Sequence, residues 1–297
     1  MSNKPRKMTL EKKHNLTGWA FLAPATFLIA VFSFWPMIKA LVLSFQTGKG
    51  RNMQMAGFTN YIRMFQDDVF IQSIKNTFFY FILQVPIMLV VAMVLACILN
   101  KKDLRFKGFF RTMIFLPCTT SLVAYSIIFR SLFANDGLVN YVLVNIGILD
   151  KPYNFLTQPF AAKMVIILAL LWRWTGYNMV FFLSGLQNIE YSVYEAAKID
   201  GASAIQTFFK ITVPLLKPTI LLTAIMSTNG TLQLFDESIN LTDGGPANAS
   251  ISMSHYIYNL CFKYVPNFGY AAAMSFFILL LVAVLAFIQM RVGDKRD

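Results

Sequence analysis

NTFFYFILQVPIMLVVAMVLACILN, residues 76–100, carries no Lys, Arg, Asp or Glu in twenty-five positions. At 1.5 Å of rise per residue, about twenty apolar residues cross the ~30 Å of hydrocarbon in a bilayer. The stretch reads as a membrane-spanning helix and makes lipid the solvent of the fold. Composition agrees with it. Apolar residues make up 57% of the 297 positions and charged residues 13%, against ~45–50% and ~25% in soluble domains. The formal charge of +12 does not point to nucleic acid, because no basic–aromatic interleaving or binding motif accompanies it. Loops that keep Lys and Arg on one side of the membrane account for it.

Five further segments qualify as spans: 18–38 with Pro24 and Pro36, 112–132 with Pro117, 160–186 containing Arg173, 219–235 interrupted by Asn229 and Gly230, and 270–290. An even number of crossings places both ends on one side. That side, with loops 101–111 and 187–218, holds sixteen Lys and Arg, and the other holds nine. The excess assigns both termini and loop 187–218 to the cytoplasm. The expected organisation is a basic tail 1–17, a six-helix transmembrane domain 18–290 and a tail 291–297. The basic start runs into about twenty apolar residues, which reads as an uncleaved first span rather than a signal peptide. Cys97, Cys118 and Cys261 share no ligand-like spacing and read as buried small hydrophobes.

One cytoplasmic stretch is ordered rather than merely polar: EAAKIDGASAIQTFFKITVP, residues 195–214. Residues 190–200 favour helix. Gly201 suits a left-handed stop, Ser203 can cap a second helix over 204–211, and Pro214 and Pro218 close it before the fifth span. A lipid-surface elbow is the plain reading of such a stretch. The spacing of Glu195-Ala196-Ala197, Gly201, Ile211 and Pro214 also resembles the EAA loop of membrane subunits of binding-protein-dependent ABC importers. Val213 departs from the family's Leu. GFTNY at 57–61, Lys75-Asn76-Thr77, FRTMIFLP at 110–117, LTDGGP at 241–246 and FGYAAAMS at 268–275 are similar to the sugar-type, maltose-like branch.

The resemblance implies an all-α integral membrane protein of six transmembrane helices with a coupling-helix elbow, of the type I importer kind, in a bacterial or archaeal plasma membrane. It implies a second permease subunit, two ATP-binding subunits and an extracellular or periplasmic solute-binding protein as partners. Glu195, Ala196, Ala197, Asp200, Gly201, Ile211 and Pro214 would face the ATPase. Glu195 is expected to fix the elbow by hydrogen bonds, and Gly201 to permit its turn. Gly48-Lys49-Gly50 lacks the spacing of a phosphate-binding loop. No cofactor is therefore expected in this chain, and ATP and Mg belong to the partners.

Polar groups inside spans are expensive and default to functional candidates. Span four offers Arg173, Trp174, Tyr177 and Asn178, aromatic faces and planar donors suited to a sugar. Arg173 has two readings, substrate contact or snorkelling to the outer interface. Span five offers Ser227, Asn229, Gly230, Thr231, Gln233 and Asp236. Asn229, Gln233 and Asp236 are expected on one helix face, with Gly230 at a close approach or helix break. Interhelical hydrogen bonding is the plain alternative. Thr119, Thr120 and Ser121 read as hydroxyls serving the carbonyl freed near Pro117. A sugar importer permease, by preference for an oligosaccharide, is the leading function. A glycerol-phosphate permease is the alternative, because Arg173 could meet a phosphate. A proton-coupled carrier lacks an ionisable relay, and an intramembrane enzyme lacks a nucleophile pair or metal cluster.

Overall fold

The computed structural model describes residues 10–49, 52–101 and 103–293. Lys4, Arg6 and Lys7 of the expected basic tail, and Lys295 and Arg296 of the C-terminal one, lie outside the described residues. The chain opens on α1 (Leu10–Ile29), which passes through a π turn (Ala30–Phe34) into α2 (Trp35–Ser44). Helix thus begins inside the expected tail and outruns the expected span at both ends. A small hairpin comes next, β1 (Gln46–Lys49) against β2 (Asn52–Met55), antiparallel with Gln46 opposite Met55. Then come α3 (Thr59–Met64), α4 (Asp68–Asn100), α5 (Lys107–Thr119), α6 (Leu122–Leu132), α7 (Leu138–Asn145) and α8 (Pro159–Gln187). The elbow comprises α9 (Tyr191–Ile199), α10 (Ala204–Thr207), a π turn (Phe208–Thr212) and α11 (Val213–Leu215). The chain finishes with α12 (Lys217–Leu232), α13 (Asp236–Thr242), α14 (Met253–Tyr258) and α15 (Phe268–Gly293).

Among the described residues, four helices are long and apolar enough to cross a membrane: His14–Ser44, Asp68–Asn100, Pro159–Gln187 and Phe268–Gly293. Two bent pairs bring the number of spans to six. α5 and α6 meet at 98°, and the elbow's second arm meets α12 at 71°. The third segment is therefore no straight span. Thr120 and Ser121 are extended, and the chain turns between them.

The core is built around α4 and α8, which run side by side in the same direction. Three apolar clusters succeed one another along α4, and α8 shares the second and third. Phe70, Met64, Tyr270 and Met274 mark the first. Tyr80, Tyr125, Ile166 and Leu170 mark the second. Ala92, Ala96, Met179, Phe182 and Leu216 mark the third, next to the elbow. Small residues matter where backbones touch. A Cβ on Gly176 would collide with the carbonyl oxygen of Ile114, so the crossing of α5 on α8 requires glycine there. The three cysteines are free and half-buried rather than buried.

The motifs at 57–61, 75–77, 241–246 and 268–275 converge at the end opposite the elbow. Asn60 donates to the carbonyls of Ser44 and Gln46 at 2.9 and 2.8 Å. Asn76 donates to those of Asn248 and Ile251 at 3.1 and 2.9 Å, holding the turn after α13 against α4. Asp67 caps α4 by accepting from the Val69 and Phe70 amides, and its other oxygen accepts from Tyr256 and Tyr270, each at 2.7 Å. Burial pushes this carboxyl up, but the two tyrosine hydroxyls and the two amides outweigh it and hold the group below its ordinary value.

Candidate functional site

Between the second and third clusters the packing turns polar and leaves a cavity of about 320 Å³. Its walls come from α4, α6, α8, α12 and the segment leading into α13. Of the residues expected to line a pathway, Trp174, Tyr177 and Asn178 of α8 line this cavity, as do Ser227, Gly230 and Thr231 of α12. Gln233 and Asp236 line it from beyond the helix end. Asn178 accepts from Ser227 at 3.3 Å and donates to the Trp174 carbonyl at 3.0 Å. Thr231 donates to Gln84 at 2.8 Å. Trp174 and Tyr177 stand edge to face, with centroids 5.8 Å apart.

Four expectations need correction. Arg173 neither lines the cavity nor snorkels. It is 5% exposed and donates to the Thr120 carbonyl at 2.8 Å, the Cys118 carbonyl at 3.3 Å and Thr120 Oγ1 at 3.3 Å. Those carbonyls end α5, so the guanidinium caps a helix C-terminus left open by the 98° bend. Asn229 is exposed on a separate groove facing α15, bonded to Gln233 at 2.6 Å. Of the shared face expected for Asn229, Gln233 and Asp236, only Asn229 and Gln233 stay together, because α12 ends at Leu232 and helical spacing does not extend to Asp236. Gly230 sits within regular helix, and a Cβ there would meet nothing within 4 Å, so it marks neither a break nor a close approach.

Sequence reasoning missed Gln84, Tyr125 and Glu237. Glu237 lines the cavity, is 4% exposed and accepts a hydrogen bond from Tyr125. An acid next to Asp236 after a polar run looked like the end of a span. Only the return of α13 onto α6 carries it inward.

The elbow keeps closely to its sequence. α9 ends in a Schellman turn: Gly201 has φ +75°, its amide donates to Lys198, and the Ala202 amide donates to Ala197. Ser203 and Gln206 form a reciprocal capping box at the start of α10. Ala197 is buried, Ile211 is half-buried, and Glu195, Ala196, Asp200, Gly201 and Pro214 are exposed. The Glu195 carboxylate makes no hydrogen bond among the described residues, so the turn and the capping box, not that carboxylate, set the elbow's shape. Pro214 lies within the second arm, and the bend falls at Leu216, buried in the third cluster, with Pro218 in the first turn of α12. Ile199, Ile205 and Phe209 stand exposed on the elbow's surface.

Residues 68–296 match the family described as binding-protein-dependent transport system inner membrane component. The chain belongs to that family. It is 52% identical over 292 residues to the lactose transport system permease protein LacF of Rhizobium radiobacter, covering 98% of each chain. It is 33% identical to the multiple sugar-binding transport system permease protein MsmF of Streptococcus mutans, covering 97% of this chain and 99% of that one. A crystal structure of a bacterial ABC transporter involved in the import of the acidic polysaccharide alginate contains a chain of similar fold. The TM-score is 0.84 at 25% identity, with 95% of this chain and 96% of that one covered. A bacterial alginate ABC transporter in complex with its alginate pentasaccharide-bound periplasmic protein is equally similar, with a TM-score of 0.84 at 26% identity. The chain is thus a multi-pass membrane permease component of the binding-protein-dependent importers.

Proposed function

We propose that this permease forms half of the translocation pathway for a neutral sugar, with a disaccharide of the lactose class as the preferred cargo. The observation that carries the reading is the cavity's chemistry. Trp174, Tyr177 and Phe235 offer ring faces for sugar C–H surfaces, and Gln84, Asn178 and Ser227 offer amide and hydroxyl partners. The charged residues lining it are Asp236 and Glu237, both acidic. Such a wall offers a phosphate ester no cation. Arg173, on which a glycerol-phosphate reading would rest, is committed to the carbonyls that end α5. The name of the relative at 52% identity points to the same cargo.

A second permease subunit would complete the cavity from the side of the Asn229–Gln233 groove. Two ATP-binding subunits would supply hydrolysis, one of them seated on the elbow around Ile199, Ile205 and Phe209. A solute-binding protein would deliver sugar at the opposite end. The elbow and both termini would lie in the cytoplasm of a bacterial or archaeal cell, a placement that the excess of Lys and Arg on that side supports. Closure of the ATPases would move the elbow as a rigid body and rock the helices that wall the cavity.

The test is uptake by the assembled complex in proteoliposomes, with ATP inside and binding protein outside. Labelled lactose should enter and be competed by unlabelled sugar, while glycerol 3-phosphate should not compete. Competition by glycerol 3-phosphate alone would overturn the reading.

A further inference from the structure

Glu237 is a carboxylate held in place at a cavity wall. Its oxygen Oε1 accepts from the Tyr125 hydroxyl. Tyr125 is wholly buried, stacked on Trp172 at a centroid distance of 6.2 Å, with the Arg173 guanidinium 4.8 Å from its ring. Arg173 is in turn fastened to the Thr120 and Cys118 carbonyls at 2.8 and 3.3 Å. The arrangement is a relay: a cation packed on a ring, whose phenol donates to an acid at the cavity. It orients the acid without giving it a direct ion pair.

A carboxylate bonded in this way keeps acceptor capacity, since each oxygen has two lone pairs. The natural complement is a donor that arrives with the cargo, and a sugar hydroxyl is such a donor. The geometry points to Glu237 as a specificity-determining residue that accepts a sugar hydroxyl in the cavity and excludes anionic solutes, with Tyr125 as its positioning residue. This inference rests on the sugar-permease reading above, and it adds a named residue and a charge rule to it.

The experiment compares wild type, Glu237→Gln and Tyr125→Phe in the full complex, using lactose and its anionic analogue lactobionate as probes. Co-purification of partner subunits checks assembly. Wild type should import lactose and exclude lactobionate. Glu237→Gln should raise KM for lactose about tenfold or more, at little cost in maximal rate, and admit lactobionate as a competitor. Tyr125→Phe should raise KM less and keep lactobionate excluded, because the carboxylate remains. Wild type that imports no sugar would overturn the functional reading itself, and this inference with it. Wild-type import together with unchanged KM and unchanged exclusion in Glu237→Gln would overturn the inference alone. So would a fall in maximal rate with KM and selectivity preserved, which marks a structural role only. If Glu237→Gln fails to assemble, Tyr125→Phe decides: a raised KM at constant maximal rate supports the inference, and an unchanged KM overturns it.

Discussion

The molecule breaks two of its spans, and it mends them differently. At the 98° bend between α5 and α6, extended backbone at Thr120 and Ser121 strands the carbonyls of a helix end against the flank of α8. The repair comes from far away in sequence, as Arg173 of α8 reaches across to Cys118 and Thr120. Thr119 and Thr120 add local hydroxyl bonds to Leu116 and Pro117 at 2.8 and 2.7 Å. At the 71° bend between the elbow and α12, the chain mends itself. Pro218 needs no amide partner in the first helical turn, Leu216 packs into the third cluster, and its amide donates to Thr212 at 3.0 Å while its carbonyl accepts from Ile220 at 2.8 Å. At membrane depth an unpaired carbonyl has no water to turn to, so the half-buried carbonyls of Cys118 and Thr120 take a donor from α8. At the bend into α12, partners four residues away suffice.

The comparison breaks most decisively at Arg173. Arg173→Ala leaves the half-buried carbonyls at the end of α5 without their donor, at about 1–3 kcal/mol for each one left unpaired, and should lower the thermal midpoint of the detergent-purified complex more than any elbow substitution. Arg173→Lys should fall between, since an ammonium cannot span the same carbonyls as a planar fork. An Arg173→Ala protein that melts with wild type would end the account of that bend. Gly176→Ala should cost about 1–3 kcal/mol by overpacking, because the new methyl meets the Ile114 carbonyl on α5; circular dichroism melts would register it.

Asp67 supplies a third fastening, partly solvated and therefore smaller in effect. Its folded pKa lies below the ordinary carboxylate value, so the unfolded chain binds the proton more readily. The stability it contributes is present above that ordinary value and is lost as pH falls through the folded one. Melting midpoints measured from neutral pH downward should therefore decline, and Asp67→Asn should flatten the decline; parallel curves for the two proteins would remove Asp67 from the account. The smallest effect belongs to the elbow. Gly201→Ala meets no atom within 4 Å and costs only the left-handed strain of about 1 kcal/mol, so the permease should still fold and assemble. If the elbow is the ATPase seat, the bulkier Gly201→Val should separate ATP hydrolysis from uptake, and tight coupling at the wild-type import rate would count against that role.

How much of this was legible in the residues depends on the range of the interactions. The charge-free run at 76–100, the glycine stop at Gly201 and the serine cap at Ser203 are local properties. Composition and spacing within a few residues determine them, so the lipid solvent, the helical class and the elbow could be read directly. The cavity-lining role of Trp174, Tyr177 and Asn178 was also accessible, since one helix carries all three. What only the tertiary structure decided is where distant polar groups turn. Arg173, read as a ligand for cargo or a snorkelling cation, became a cap for another helix, Asn229 lies on the face of α12 turned toward α15, and Glu237 entered the cavity when α13 folded back. Each outcome depends on which unpaired partner lies across the packing interface, and chain spacing cannot encode that.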